Sequence, residues 1–334
     1  MNKVYNQDFL TNSIPDKSVQ LIIADPPYFE VKGDFDFIWK SFDDYLVDVE
    51  KWAIECKRVL ADNGTLFWWG HAKKIAYSQM VLDKYFNLEN SLVWENTNPH
   101  KQQIRFSDGL RSFAPISERL LMYSNEIERT GLQEIYSDDN CFESIKDYLR
   151  SEKQKSKLTS KQLNYMFSKY KNKEGCLNRS VMEHYWQKSQ WIFPTQEIYE
   201  NIMQPTGFWQ KPYEDLRKEY EELRKEYEYL RKEYEELRRP FSNSLHLGDV
   251  FKFPNYETKN YDHDTVKPET LTRALILTCS RPNDLVLAPF AGSGTECAMA
   301  AKEGRNFIGF EITERHAVMA QKQANIFLSQ QKLF

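Results

Sequence analysis

The sequence predicts an α/β protein, a doubly wound, mainly parallel sheet that carries an inserted helical region. Three observations predict it. Residues 1–125 alternate apolar, strand-like runs with helical patterning. Near the other end, Leu285-Val286-Leu287-Ala288 runs into a glycine-rich turn, Pro289 to Thr295, followed by a helix and a second strand. The stretch between these ends holds short segments of helical spacing and a run of heptads over residues 213–240. Strand–helix alternation feeds parallel strands whose crossovers cover both faces of a sheet.

Each element has its own reason. Val19 to Ala24 holds the unbroken apolar run Leu21-Ile22-Ile23-Ala24, the mark of a buried strand. Asp43 to Leu60 places Tyr45, Val49, Trp52, Ala53, Cys56 and Val59 roughly on one helical face. Asp62-Asn63-Gly64 ends that helix, and Thr65 to Trp69 is the next strand. Leu88 to Trp94 and Arg119 to Tyr123 read as two more. After the glycine-rich turn, Glu296 to about Lys302 is a helix, and Phe307 to Glu311 is a strand that ends in an acid. A chain of 334 residues can hold one large α/β domain and a smaller insert. The expected boundaries make residues 1–137 and 241–334 two halves of one domain. Residues 138–210 are then a helix-turn-helix-like insert and residues 211–240 a heptad-repeat helix.

Within the insert, Thr159-x-x-Gln162 is a capping box, followed at helical spacing by Leu163, Met166, Phe167 and Tyr170. Ser180-x-x-Glu183 is a second, leading a short helix with Met182, Tyr185 and Trp186. That helix would expose Arg179, His184, Gln187 and Lys188, side chains able to read base edges from a major groove. Thr195 caps a third helix through Met203. From Arg150 to Lys173, eight basic residues stand against the single acid Glu152, a patch suited to phosphate. Tyr213, Tyr220, Tyr227 and Tyr234 recur every seven residues, each with a leucine three residues on, and Pro240 ends the repeat. The Tyr/Leu stripe suits packing on its own domain, pairing with a second copy of the chain, lying against DNA, or spacing two parts of the protein.

Two motifs carry chemistry. Asp25-Pro26-Pro27-Tyr28 ends the first buried strand. Its prolines stiffen the corner, which offers a carboxylate, a free carbonyl and a flat ring. Those groups suit a planar base with an exocyclic amine. The second motif is the strand, Phe290-Ala291-Gly292-Ser293-Gly294-Thr295 turn, helix, strand and acid, a cofactor-cradling arrangement. Lys101, Arg105 and Arg111, interleaved with Phe106, Gly109 and Phe113, make residues 100–117 a candidate strand-gripping loop.

Together these motifs resemble the amino-methylating DNA methyltransferases, in the permuted order with DPPY first and FxGxG last, and most closely the N6-adenine enzymes. The resemblance covers roughly residues 1–125 and 243–330. It implies a Rossmann-like fold, S-adenosyl-L-methionine as cofactor, double-stranded DNA as substrate and a flipped-out target base. It also implies that Asp25 and the Pro26 carbonyl hold the target amine, beside Pro27, while Tyr28 stacks on the base. Asn6-Gln7-Asp8-Phe9 resembles the segment that binds the cofactor's adenine, so Asp8 and Phe9 are cofactor residues. His263-Asp264-Thr265-Val266-Lys267-Pro268 resembles the family's HPTxKP segment, which assigns Thr265 and Lys267 to the methionine end. Phe290, Gly292, Gly294 and Thr295 match the cofactor loop, and Glu311 the ribose acid. The chain departs from the family at Ala288, where an acid is usual, and at Asp264, where a proline is usual. Cytosine-N4 methylation is the nearest alternative, and a non-catalytic DNA-binding relative with a decayed site is another. Aspartate rather than serine at position 25 resembles the adenine branch.

Composition fits this reading. Hydrophobic residues make up 41% and charged residues 28%, ordinary for a globular chain. There is no run of about 18 apolar residues and no signal-peptide core at the start, so no membrane is expected. Five cysteines, none spaced as a metal knuckle, suit reduced thiols and no metal. The expectation is a cytoplasmic enzyme, bacterial or phage-encoded, that acts on DNA, with a homodimer among the roles open to the heptads.

Overall fold

The computed structural model describes residues 2–31, 36–97, 113, 116–125, 141–171, 181–187, 191–255 and 266–331. Its chain order begins with β1 (Lys3–Asn6), β2 (Val19–Ala24), α1 (Phe42–Val59), β3 (Leu60–Gly70), α2 (Ile75–Leu82), β4 (Asn87–Asn96) and β5 (Ser117–Ser124). Then come α3 (Glu143–Ser156), α4 (Ser160–Lys171), the short α5 (Gln196–Ile198) and α6 (Tyr213–Leu237). The chain closes with β6 (Val250–Phe253), α7 (Glu269–Cys279), β7 (Leu285–Ala288), α8 (Thr295–Lys302), β8 (Asn306–Glu311) and α9 (Glu314–Gln331). Two compact units result, residues 1–127 with 239–334, and residues 128–238.

The first unit is built on an eight-stranded sheet in the order β1-β8-β7-β2-β3-β5-β4-β6. Every neighbouring pair is parallel except the two that involve β5, so β5 alone runs against the rest. Alternate residues of the central strands feed two cores. Leu21, Ile23, Phe67 and Trp69 lie in one, and Ile22, Ala24, Leu66 and Trp68 in the other. A strand buried on both faces needs the continuous apolar run seen in the sequence. α1 starts where Ser41 accepts a hydrogen bond from Asp44 N at 3.1 Å, with Asp43 and Asp44 in its first turn and Lys57 and Arg58 in its last. Both charge placements complement the helix dipole.

The sequence reading missed β1 and β6. Both are four-residue strands on the two edges of the sheet, and each buries one side chain, Val4 and Phe251. So little burial leaves no periodic signal to read.

The order reverses between β7 and β2. Leu21 pairs with Val286 and Ile22 with Leu287, so the chain leaves both strands side by side at their carboxyl ends. Asp25 follows one strand and Pro289 the other. A ligand crevice forms at such a switch point because the loops of the two strands part in opposite directions.

The second unit has its own core of Ile145, Leu149, Leu163, Met182, Ile198, Tyr199, Ile202, Met203, Trp209, Tyr213 and Leu216, among others. The Thr159 capping box is present, with Thr159 N donating to Gln162 Oε1 at 2.8 Å and Gln162 N to Thr159 Oγ1 at 3.2 Å. The heptad helix α6 packs on this core through Tyr213, Leu216, Tyr220 and Leu223, and Tyr220 stacks on Phe193 with centroids 4.3 Å apart. Burial fades along the stripe, and Leu237 at its end is exposed.

The expected second helix of the insert differs. Val181–Tyr185 is a five-residue 3-10 turn, with Met182 and Tyr185 buried in the core. Two inward side chains so close together suit a tight turn better than an α-helix with a free reading face. Thr195 does cap α5, accepting from Ile198 N at 3.4 Å, and the chain continues as a π turn, Tyr199–Met203. The basic patch is partly neutralised by its own helix. Arg150 pairs with Glu143 at 2.6 Å and Asp147 at 3.2 Å, and Lys155 with Glu152 at 2.5 Å.

Candidate active site

The carboxyl ends of β2 and β7 open into a cavity of about 660 Å3, the size range of cofactor and drug-sized pockets, ~300–1,000 Å3. Asp25, Pro26, Pro27 and Tyr28 line it, and so do Asp8, Phe9, Lys267, Phe290, Gly292 and Glu311. Residues more than 280 positions apart thus meet in one place because β1, β8, β7 and β2 are adjacent.

Asp25 is held from two sides. Tyr28 Oη donates to Asp25 Oδ1 at 2.6 Å, and Lys267 Nζ to Asp25 Oδ2 at 2.6 Å. Lys267 also meets Glu118 at 3.2 Å. Its ammonium is buried, 5.0 Å from the Trp69 ring centroid and 5.8 Å from that of Tyr28. Burial pulls the Lys267 pKa down, but Asp25 and Glu118 more than reverse this and raise it above the ordinary lysine value. Burial, with the nearby Asp25 and Glu118 charges, raises the Tyr28 phenol, which stays protonated and donating. Asp25 keeps acceptor capacity, because each carboxylate oxygen has two lone pairs and these contacts use one on each. The corner is fixed from behind by Asp36, whose Oδ1 accepts from Tyr28 N at 2.5 Å.

The glycine-rich loop is tied to β8. Gly292 N donates to Glu311 Oε2 at 2.9 Å, and Thr313 N to Glu311 Oε1 at 2.8 Å, which aims the acid along the cavity wall. Ala291 N bonds Phe310 O at 2.7 Å. Phe290 meets Trp52 edge-on at 4.9 Å and Phe9 at 6.4 Å. Asp8 caps a short 3-10 turn through Leu10 N at 2.9 Å. Gly294 and Thr295 stand behind the cavity surface. Gly294 has φ +84°, and a Cβ there would lie 2.4 Å from Ala320 Cα, so α9 packing already demands glycine at this position. Thr295 is buried and shares a 3.0 Å hydrogen bond with Ser293.

The sequence reading missed three residues of this site. Glu118 lies at the start of β5. Because β5 is antiparallel, its beginning falls at the edge where the parallel strands end, with Arg119 opposite Gly70. Glu296, in the first turn of α8, is 5% exposed and lines the cavity, and its carboxyl is pushed up to about 7 by burial, with Asp25 adding to the shift. Asp36 is buried behind the DPPY corner. Only Glu118 carried a readable signal, an acid at a strand end. Of the expected DNA-reading residues, Lys101, Arg105, Arg111, Arg179 and Lys188 lie outside the described residues, as does Thr265. His184 and Gln187 are half-buried in the second unit, where Gln187 Nε2 donates to Glu183 at 3.2 Å. Among the described residues no cluster of His, Cys, Asp or Glu could hold a metal ion, and no helix is long and apolar enough to cross a membrane.

The chain is similar to known proteins. The chain is 27% identical over 329 residues to the type II methyltransferase M.HinfI of Haemophilus influenzae, matching 93% of this chain and spanning 64% of that relative's length. It is 25% identical to the DNA adenine methyltransferase YhdJ of Escherichia coli strain K12, over 94% of this chain and 78% of that one. The cytosine-N4-specific PvuII DNA methyltransferase superposes with TM-score 0.51 at 12% identity, over 98% of this chain and 91% of that one, a likeness of fold alone. A family model described as DNA methylase, for N6 and N4 enzymes, matches residues 19–322, so the chain belongs to the N6/N4 DNA methylase family.

Proposed function

We propose that this protein is a site-specific DNA methyltransferase that moves a methyl group from S-adenosyl-L-methionine to adenine N6 in duplex DNA after base flipping. The single observation that carries the reading is the convergence of the Asp25–Tyr28 corner and the Phe290–Gly292 loop on one cavity at the switch point. The names of the curated relatives, one of them an adenine methyltransferase, support adenine over cytosine. So does aspartate at position 25.

Asp25 and the Pro26 carbonyl accept hydrogen bonds from the target amine, which holds its lone pair out of the ring's π system and aims it along the transfer path. Lys267 and Tyr28 keep the Asp25 carboxylate in place, and the Tyr28 ring offers a stacking face to a flipped base. The cofactor supplies a sulfonium methyl that is already electrophilic, so no metal is required. Held along Asp8, Phe9, Phe290 and Glu311, the cofactor would give that methyl to the amine nitrogen and be left as the neutral thioether, and the surplus amine proton would pass to water. Catalysis rests on orientation and fixed charges, with no covalent enzyme intermediate. The cavity fits the cofactor in chemistry as well as size. Phe9 and Phe290 offer apolar faces to an adenine, and Asp8 and Glu311 offer acceptors to its amine and to ribose hydroxyls. The second unit, with residues 100–117, chooses the DNA site, and the distal heptads provide a surface for a second copy. DNA as substrate and the bacterial relatives agree with a bacterial or phage-encoded enzyme of the cytoplasm.

The test is transfer of labelled methyl from S-adenosylmethionine to duplex DNA by the purified protein, beside cofactor binding by calorimetry. Binding together with labelled DNA is expected. Neither binding nor label overturns the reading, whereas binding without label is the signature of the decayed relative.

A further inference from the structure

Three carboxylates, Asp25, Glu118 and Glu296, share the cavity with one buried ammonium, Lys267. Lys267 satisfies two of them, at 2.6 and 3.2 Å. Among the described residues Glu296 has no ion pair of its own, and Lys267 acts on it only through its field. No side chain of the cluster bonds its carboxyl, and it is turned into the cavity at 5% exposure, where its own backbone N–H supports it. A carboxylate with so little exposure and no ion pair is costly to ionise unless a cation joins it. In the sequence the acid follows the cofactor loop, at Glu296, while Ala288 precedes it.

S-adenosylmethionine and its spent product differ by one positive charge, since methyl transfer turns the sulfonium into a neutral thioether. We propose that Glu296 is the specificity-determining residue that favours the charged cofactor over that product. This rests on the reading of the cavity as the S-adenosylmethionine site. An unmatched carboxylate near Asp25 and Lys267 attracts a sulfonium and gives a thioether nothing in return. The residue thus limits competition by the spent product, by raising substrate affinity relative to it. It also makes the preference depend on pH. The carboxyl is neutral below about 7 and charged above it, so the preference grows as pH rises. The other titratable groups that line the cavity are Asp25 and Tyr28 after β2, Asp36, Asp48 and Lys51 around α1, Lys267 before α7, Glu118 in β5, Asp8 after β1, Glu311 in β8, His316 in α9 and His71 after β3.

Calorimetry of the full chain with S-adenosylmethionine and with S-adenosylhomocysteine, at pH 6 and pH 8, tests this. In the wild type the ratio of the two affinities should rise with pH. Glu296→Gln should cut the ratio at pH 8 by about tenfold through weaker S-adenosylmethionine binding alone, and should flatten the pH profile. Glu296→Asp should keep most of the preference. Equal ratios in wild type and Glu296→Gln overturn the inference and leave the methyltransferase reading standing. So does a pH dependence that survives in Glu296→Gln, which would belong to another group of the cavity. If the glutamine variant does not fold, a flat wild-type profile still overturns it. A wild type that binds neither ligand removes the parent reading and this one together.

Discussion

At the scale of single residues, the site holds buried charges in fixed company, and their partners set what each substitution does. Asp25→Ala should abolish methyl transfer while cofactor affinity stays within a few-fold, because its charge is already matched by Lys267. Turnover at about a tenth of wild type, only ~1.4 kcal/mol in barrier, would remove Asp25 from the role assigned to it. Glu296 makes a separate prediction about stability. Its carboxyl has an ordinary pKa of 4.5 and is pushed up to about 7 in the fold. Protonation therefore favours the folded state below about 4.5, and that contribution is lost as pH rises to about 7. The neutral Glu296→Gln should melt higher than wild type at pH 8 by an amount on the order of 3 kcal/mol, with a much smaller gain at pH 5. An equal gain at both would show that the carboxyl is not carrying a buried charge. Asp25, Tyr28, Phe290, Gly292 and Glu311 were legible in the sequence because they sit in local strings whose spacing has a mechanical meaning. Glu296 and the Lys267–Glu118 contact were not, since they depend on which strand ends meet, and no local string records that.

At the scale of elements, the strands that could be read were those buried on both faces. β2 and β7 announce themselves by unbroken apolar runs, while β1 and β6 bury one residue each and do not. The heptad helix shows the opposite limit. Its repeat is plain, but the repeat does not say which copies are buried, and the structure engages the first two tyrosine–leucine pairs most deeply. Deletion of Tyr220 to Glu226 shortens α6 by about 10 Å and turns its end by about 20°. Tyr227 and Leu230 then take the places of Tyr220 and Leu223 with the same residue types. The second unit should fold cooperatively by circular dichroism, and cofactor binding should be unchanged. DNA-site preference or self-association should shift. A variant that keeps its recognised sequence, light-scattering mass and rate would make the distal heptads mere decoration. Loss of the folded unit would show that register, and not residue type, holds α6 in place.

At the scale of the whole molecule, topology does most of the functional work. Two motifs at opposite ends of the chain carry chemistry only because β2 and β7 are neighbours where the strand order reverses. The single antiparallel strand then delivers Glu118 to the same edge. The sheet thus gathers acceptors for an amine, apolar faces for a flat heterocycle and a carboxylate surplus for a cation, and this combination points to methyl transfer onto an amino group of a base. The most direct test is to incubate unmethylated duplex DNA with the purified protein and S-adenosylmethionine, digest it, and identify the nucleosides by mass spectrometry, with Asp25→Ala in parallel. N6-methyladenine from the wild type and none from the variant is the predicted result; N4-methylcytosine, or no methylated base from a protein that binds the cofactor, would contradict it.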